Sequence, residues 1–222
     1  MGVHVYIDGF NFYYRLFKNS GRKNRLPSHH KWLDLLKLSQ QLAPGQTIDW
    51  IGYFTAYVRQ SPLDPDQHRR QRAYLAALGT IPCLEIVPGK FQPTVKRGLP
   101  RGTTSRTVME FDTFEGKGSD VNLASRLVWD AARGAFDEAL VVSNDSDLAE
   151  AIRIATVEAG QRVRVFSPDI TVSNLLRKVA TDASSLDTKL FKRCLFPNTM
   201  TNSDGVIISR PITWAPPSRQ HR

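Results

Sequence analysis

Hydrophobic runs of strand length alternate along the chain with longer segments that have helical character. We predict strands at the short apolar runs, residues 3–7, 48–58, 81–87, 139–142 and 163–166. We predict helices over the longer segments, several of which place apolar residues at i, i+3 and i+4: residues 32–42, 65–78, 120–132, 147–159 and 171–179. This β-α-β-α order predicts an α/β fold, in which helices cover both faces of a parallel sheet.

Two segments interrupt this alternation. Residues 88–106 contain basic side chains, several Gly and Pro residues and no acid, and we expect a hairpin or mobile loop inserted into the domain. After Leu195 the chain is rich in Asn, Thr, Ser and Pro, which predicts a flexible tail over residues 195–222, apart from a short strand at 206–208. The expected organisation is one domain over residues 1–194, followed by the tail.

The charge balance narrows the class of partner. Among the 222 residues, 30 Lys and Arg face 21 Asp and Glu, so the formal net charge is +9. A field of this sign attracts polyanions, which favours nucleic acid first and an anionic membrane surface second, although a merely basic protein is also consistent with it. Cys83 and Cys194 lack the spacing of zinc ligands. With no visible signal peptide and no membrane-length apolar stretch, we expect a cytoplasmic protein.

Aspartates stand where the predicted strands end and a predicted helix begins. Asp8 follows the first strand, Asp145 and Asp147 follow the strand at 139–142, and Asp120 opens a helix. In an open parallel sheet, ligands bind beyond the carboxyl ends of the strands. We therefore expect these acids to meet at one edge of the sheet.

Clustered carboxylates raise one another's pKa, and a divalent cation relieves that repulsion. An oxygen-only donor set favours Mg²⁺ or Mn²⁺ over zinc, and such an ion beside a phosphodiester supports its hydrolysis. Three of the acids also have a structural interpretation that the sequence leaves open, whereas an unpaired Asp145 beside a buried strand end would be costly. Asp8 could form a turn, Asp120 could interact with a helix dipole, and Asp147 could form a capping box with Glu150.

Three motifs resemble those of the NYN domain family. Tyr6-Ile7-Asp8-Gly9-Phe10-Asn11-Phe12 resembles its opening Asp-x-x-Asn motif. Lys117-Gly118-Ser119-Asp120 resembles its Lys-Gly-x-Asp helix start, and Ser143-Asn144-Asp145-Ser146-Asp147 is similar to its Ser-x-Asp-Ser-Asp motif. The resemblance covers roughly residues 3–179. It implies a PIN-like, three-layer α/β/α sandwich around a central parallel sheet, and metal-dependent ribonuclease activity.

The resemblance also implies roles for individual residues. Asp8, Asp120 and Asp145 would bind Mg²⁺ or Mn²⁺, with Asp147 as a fourth acid. Asn11 would hydrogen-bond near Asp8 and the substrate phosphate. Ser143 would orient a carboxylate. The catalytic set is therefore predicted to be Asp8, Asp120, Asp145, Asp147, Asn11 and Ser143.

RNA, single-stranded or structured, is the expected partner. Basic residues of the 88–106 segment and one at the helix start could contact phosphates, namely Lys90, Lys96, Arg97, Arg101 and Lys117. Phe10, Phe12, Tyr13 and Tyr14 could stack on unpaired bases, but the helical spacing of Phe10 and Tyr14 favours burial in the core.

Three functions remain under consideration. The first is a metal-dependent endoribonuclease, and the second is a module of the same fold that binds RNA or a nucleotide without cutting. The third is a phosphatase or nucleotide-dependent enzyme. It is weakened because no P-loop, no Gly-x-Gly-x-x-Gly and no second acid two residues after Asp8 occur. The identity of the RNA, the acceptance of DNA and any homo-oligomer or protein partner stay open.

Overall fold

The computed structural model describes residues 2–18, 26–60, 64–99 and 108–216, without the side chains of residues 91–94, 96 and 111–117. The strands are β1 Val3–Asp8, β2 Ile48–Ala56, β3 Leu84–Gly98, β4 Met109–Lys117, β5 Glu138–Val142, β6 Arg162–Ser167 and β7 Asp182–Ser185. They form one sheet in the order β4-β3-β2-β1-β5-β6-β7. All neighbouring strands pair in parallel except β3 and β4.

Helices follow most of the strands. They are α1 Gly9–Tyr13, α2 Leu35–Leu42, α3 Gln67–Leu78, α4 Ser119–Ala132, α5 Ala149–Arg153 and α6 Asn174–Val179. Both α1 and α5 continue into a π-helical turn, Tyr14–Lys18 and Ile154–Glu158 respectively. α2 starts later than the apolar spacing predicts because the Asp34 carboxylate accepts the Leu36 and Lys37 N–H groups and so caps the helix.

The sheet separates two hydrophobic clusters, so the fold has three layers. β1 contributes Val5 and Ile7 to one cluster and Tyr6 to the other, as the alternation of side chains along a strand requires. The first cluster includes residues of α1, α2 and α3, and the second includes residues of α4, α5 and α6. The prediction of an α/β/α sandwich with a parallel sheet is confirmed.

The inserted basic segment is largely a hairpin. β3 pairs with β2 up to Gly89, and from Lys90 to Gly98 it pairs instead with β4 in antiparallel register. The predicted strand at 81–87 is therefore too short. The strand continues beyond the core because β4 supplies hydrogen-bonding partners that β2 no longer offers. Arg101 and Arg106 lie outside the described residues.

The expected flexible tail is wrong for residues 195–216. Phe196, Ile208 and Trp214 are buried in the first cluster, and the Trp32 indole donates a hydrogen bond to the Pro197 carbonyl. A short antiparallel hairpin, β8 Thr199–Thr201 with β9 Ile207–Ser209, carries Ile208. The prediction of a flexible tail failed because the segment is mostly polar and its few buried apolar residues are widely spaced. Residues 217–222 lie outside the description.

No helix in the described part of the chain combines the length and apolar character that crossing a membrane requires.

Candidate metal centre

Three carboxylates from distant parts of the chain meet at the carboxyl edge of the sheet. Asp8 is the last residue of β1, Asp120 is the second residue of α4, and Asp145 lies in the loop after β5. β1 and β5 are adjacent and parallel, so their carboxyl ends emerge side by side. One carboxylate oxygen of each residue lies within 4.8 Å of the others. The sequence-based expectation that these acids converge therefore agrees with the structure.

Asp8 occupies the buried side of this group and is only 2% exposed. Its Oδ2 accepts the Ser143 hydroxyl at 2.9 Å, and its Oδ1 accepts the Asn11 backbone N–H at 3.0 Å. Both bonds favour the ionised form, but burial outweighs them and, with the charges of Asp120 and Asp145, raises the pKa of Asp8 to about 6. A positive charge among the three acids would reverse this effect.

Asp120 forms the exposed side of the group. The left-handed backbone of Gly118, with φ of 88°, turns the chain from β4 into α4 and so brings Asp120 to the sheet edge. The residue as a whole is exposed, yet its carboxyl is partly desolvated. This desolvation, together with the charges of Asp145 and Asp147, raises the pKa of Asp120. Its Oδ1 accepts the Ser119 hydroxyl at 3.2 Å, which opposes the rise.

Ser143 connects two of the acids. Its buried hydroxyl donates to Asp8 and at the same time accepts the Asp145 backbone N–H at 3.0 Å. The hydroxyl therefore holds the loop after β5 against the end of β1. This contact is of the kind that the motif resemblance implies for Ser143.

Asn11 is engaged by the protein itself. Its side-chain oxygen accepts the Asn144 backbone N–H at 3.0 Å, while its backbone N–H donates to Asp8. Asn11 thus joins α1 to the loop after β5, and it lies near Asp8 as expected.

Asn144 is a supporting residue that the sequence reasoning missed. Its side-chain amide donates to Asp169 Oδ2 and to the Thr171 carbonyl, both at 3.0 Å, and accepts the Ser173 N–H at 2.7 Å. The residue ties the Asp145 loop to the segment that precedes α6. Its place between Ser143 and Asp145 was the available signal, but its partners lie far along the chain.

Asp147 stands outside the group of three. It is exposed, and its backbone N–H donates to Asp145 Oδ1 at 3.1 Å. Its charge still contributes to the raised pKa of Asp120, so the two carboxylates are close enough to interact. The capping box with Glu150 is not formed, because Asp145 caps this turn and Glu150 pairs with Arg153 at 2.7 Å.

Four of the five basic residues expected to bind nucleic acid lie in the hairpin strands β3 and β4. Lys90 is exposed and pairs in register with Lys117, the residue that immediately precedes the turn into α4. Arg97 is exposed and forms an ion pair across the hairpin with Glu110 at 2.7 Å. Lys96 and Lys117 are described by their backbone alone, and Arg101 lies outside the described residues.

A pocket opens beside the acids and has mainly aromatic walls. Its aromatic rings belong to Phe10, Phe12, Tyr13, Tyr14, Phe17, Tyr53, Tyr74 and Trp214, and Gly9, the residue after Asp8, also lines it. The expectation of a core position is wrong for Tyr14, which is 50% exposed. Phe12 takes the core position, because α1 turns that side chain toward Phe191.

Comparisons with known proteins identify proteins that are similar to this chain. A protein named 6-hydroxy-3-succinoylpyridine 3-monooxygenase HspA, from Pseudomonas putida, is 30% identical over 192 residues. The match covers 75% of this chain and spans 59% of the length of that relative. A crystal structure of a protein of unknown function from Vibrio parahaemolyticus superposes with a TM-score of 0.52 at 17% identity, covering 87% of this chain and 95% of that one. This likeness concerns the fold.

The family assignment rests on most of the chain. The motifs that contain Asp8, Asp120 and Asp145 follow one another in this order along the chain, and the three acids meet at one edge of the sheet of an α/β/α sandwich. The family model described as NYN domain matches residues 2–187, which include all three motifs. The chain therefore belongs to the NYN domain family.

Proposed function

We propose that the protein is a metal-dependent endoribonuclease, which hydrolyses RNA phosphodiester bonds at the group formed by Asp8, Asp120 and Asp145. The observation that carries the proposal is their convergence: three segments far apart in sequence bring carboxylate oxygens within 4.8 Å of one another. Membership of the NYN family supports a nuclease. The formal net charge of +9 supports a polyanionic substrate.

The donor set fits a hard divalent cation. Within the described residues, the group consists of aspartates alone, with no Cys or His among them. Oxygen donors of this kind suit Mg²⁺ and Mn²⁺. Burial, with the charges of Asp120 and Asp145, raises the pKa of Asp8, and a cation bound at the group would favour its ionised form. Such an ion, when bound, would lower the pKa of a coordinated water and neutralise charge on the phosphate.

The surrounding residues position the acids and the substrate. Ser143 and Asn11 hold Asp8 and the Asp145 loop in place by hydrogen bonds. Asp147, exposed beside Asp120, is proposed as the fourth acid, which faces the solvent side. Basic residues of the 88–106 segment, together with Lys117, are proposed to bind the phosphates that flank the cut: Lys90, Lys96, Arg97, Arg101 and Lys117.

Cleavage of labelled single-stranded RNA in Mg²⁺ or Mn²⁺ tests the proposal. Asp145→Asn should reduce the rate by more than about 100-fold, since even residues that only support metal ligands commonly change activity by 10- to 100-fold. The matched control is Asp182→Asn, an exposed position at the start of β7, which should cleave like the unaltered protein. RNA binding without cleavage in all three proteins would instead favour the non-catalytic binding module.

The aromatic pocket favours a second candidate. The Pseudomonas relative is named for a reaction of 6-hydroxy-3-succinoylpyridine, a flat ring with an acidic side chain. Here the pocket offers aromatic rings together with Lys31, whose Nζ lies 5.8 Å from the centre of the Trp214 ring. We propose small hydroxypyridine acids as alternative ligands. Calorimetric titration with 6-hydroxy-3-succinoylpyridine tests this, and an absence of heat in the unaltered protein would remove the candidate.

A further inference from the structure

We propose that the aromatic pocket beside the acids is a base-binding subsite, which takes an unpaired nucleobase of the RNA whose backbone lies at the carboxylates. The inference rests on the proposed ribonuclease function and extends it, because it states which part of the RNA the protein recognises. Three features of the pocket carry it: exposed ring surface, an unpaired buried imidazole, and direct contact with the acid-bearing strand.

The rings at the pocket offer stacking surface. Phe10 and Tyr14 are stacked on each other with centroids 6.3 Å apart and planes inclined by 26°. Tyr13 meets Tyr14 edge-on at 5.7 Å, so the aromatic surface continues around the pocket. Half of Tyr14 remains exposed although burial of a large ring is favourable. Aromatic rings that remain accessible in a nucleic-acid-binding protein are suited to stack on unpaired bases.

His30 points to a ligand with a polar edge. The side chain lines the pocket and is only 4% exposed, yet neither ring nitrogen has a hydrogen-bond partner among the described residues. Buried polar atoms form hydrogen bonds in the great majority of cases, so the two ring nitrogens of His30 are expected to bond to a ligand. Burial, with His29 and Lys192 nearby, lowers the pKa of His30 to about 4. A neutral imidazole offers one donor and one acceptor, which complements the edge of a base.

The pocket and the acids share a wall. Gly9, which lines the pocket, directly follows Asp8, and Tyr53 pairs in register with Ile7 on the adjacent strand. A Cβ on Gly9 would lie 2.8 Å from both the Phe54 carbonyl oxygen and Tyr53 Cζ, so the wall is closely packed. The Asp8 charge also contributes to the raised pKa of Tyr53, so the Asp8 carboxylate interacts with a residue of the pocket wall. The proposal accordingly places the phosphate at the carboxylates and a base of the same RNA in the pocket.

Binding of short single-stranded RNAs, measured by fluorescence anisotropy without divalent cations, tests the subsite separately from cleavage. An abasic nucleotide is moved through the RNA one position at a time. At one position it should weaken binding to the unaltered protein by about 10-fold, in the range reported for loss of one base–aromatic stack. In Tyr14→Ala, the same abasic substitution should weaken binding by less than about 2-fold, because the stacking partner is already gone.

Trp129→Ala is the matched control, since Trp129 is an exposed aromatic residue outside the pocket lining. It should retain the full abasic effect. His30→Phe keeps a ring but removes both nitrogens. This variant should bind RNAs that differ only in the base at the abasic-sensitive position with similar affinities. The Tyr14→Ala coupling decides the proposal even where His30→Phe fails to fold, because Tyr14 is half exposed and its truncation disturbs little packing.

Equal abasic effects in the unaltered protein and in Tyr14→Ala would overturn the subsite. The subsite would also be overturned if the pocket bound 6-hydroxy-3-succinoylpyridine and no RNA displaced it. That outcome would assign the pocket to a small-molecule ligand. These outcomes are independent of catalysis. If Asp145→Asn still cleaves RNA, the proposed nuclease site is wrong, whatever the abasic measurements show for the pocket. If the protein cleaves RNA but the abasic effect does not depend on Tyr14, the nuclease proposal stands and the subsite is wrong.

Discussion

Asp8 is the residue whose chemistry depends most on its surroundings. It is a carboxylate with 2% exposure, next to two further acids, and it is held by the Ser143 hydroxyl and the Asn11 N–H. These two hydrogen bonds fix its orientation but do not offset its burial. Asp8 is thus well placed to bind a cation and poorly placed to remain charged without one.

The pH dependence of stability without metal follows from this residue. Its pKa is about 6 in the folded protein against a model-compound value of 3.8. Because the pKa of Asp8 is higher in the folded protein, Asp8 contributes most to the free energy of unfolding below about pH 4. That contribution is lost as the pH rises through 6. We therefore compare the change in the free energy of unfolding that Asp8→Asn causes at two pH values. At pH 7 this change should be more favourable than at pH 4 by about 2–3 kcal/mol.

Urea unfolding in a chelating buffer at pH 4, 5.5 and 7 measures this difference. Asp182→Asn, at an exposed position, serves as the control and should show no comparable trend. The same change in stability at every pH in Asp8→Asn would contradict the assignment of Asp8 as the group responsible.

Metal binding should reverse the repulsion among the acids. Millimolar Mn²⁺ is expected to raise the melting temperature of the unaltered protein, because a ligand that binds only the folded state stabilises it. Asp8→Asn should abolish most of that rise, whereas Asp182→Asn should retain it. Differential scanning fluorimetry with and without Mn²⁺ provides the measurement. An unchanged response in Asp8→Asn would remove Asp8 from the site.

Among the elements, the β3–β4 hairpin is the one that leaves the core. Beyond Gly89 its two strands pair only with each other, and they pair Lys90 with Lys117 next to the start of α4. The hairpin therefore connects the basic segment to the helix that carries Asp120. If the proposed function is correct, this position lets basic side chains bind the RNA whose backbone lies at the acids.

Neutralising the hairpin should change the salt dependence of RNA binding. For Lys90→Gln/Lys96→Gln/Arg97→Gln, three residues of β3, we expect weaker binding and a slope of log affinity against log salt that is shallower by about 1 for each lost phosphate contact. Arg97 is expected to contribute least, because Glu110 already pairs with it. Filter binding at several salt concentrations measures the slope.

The control removes equal charge from exposed basic residues outside the hairpin, as Arg177→Gln/Lys178→Gln/Lys189→Gln. Its slope should stay closer to that of the unaltered protein. Identical slopes in the two triple variants would mean that net charge, and not the hairpin, sets the affinity.

On the scale of the whole molecule, the C-terminal segment completes the first hydrophobic cluster. Trp214 packs between Trp32 and Tyr74, with ring centroids 6.4 Å and 6.2 Å away. Trp32 in turn donates its indole N–H to the Pro197 carbonyl. Residues after Leu195 are thus part of the folded unit, and Trp214 also forms part of the pocket wall.

Truncating this anchor should destabilise the protein strongly. Trp214→Ala is expected to lower the free energy of unfolding by about 3–5 kcal/mol, as for other buried aromatic residues. Ile212→Ala, two residues earlier and 92% exposed, is the control and should change stability by less than about 0.5 kcal/mol. Similar midpoints for the two variants in chemical denaturation would show that the segment contributes little to the core.

The sequence by itself determined the features that depend on local order. The alternation of apolar runs and helical segments predicted the α/β fold, and the motifs around Asp8, Asp120 and Asp145 indicated both the family and the site. The fold, the family and the convergence of the acids agree with the structure. Asp8 and Asp145 meet because residues that follow neighbouring parallel strands emerge at one edge, whereas Asp120 is brought there by the turn at Gly118.

Tertiary structure decided what depends on partners remote in sequence. Whether Asp147 joins the three acids, what Asn144 holds, and whether Trp214 is buried are each settled by atoms more than twenty residues away or by packing across the sheet. The pocket is the clearest case, since it forms only when α1, β2 and the segment at Trp214 meet. A chain pattern records which side chains are apolar or charged, but a cavity and the pKa of a buried acid arise from the surfaces that folding brings together.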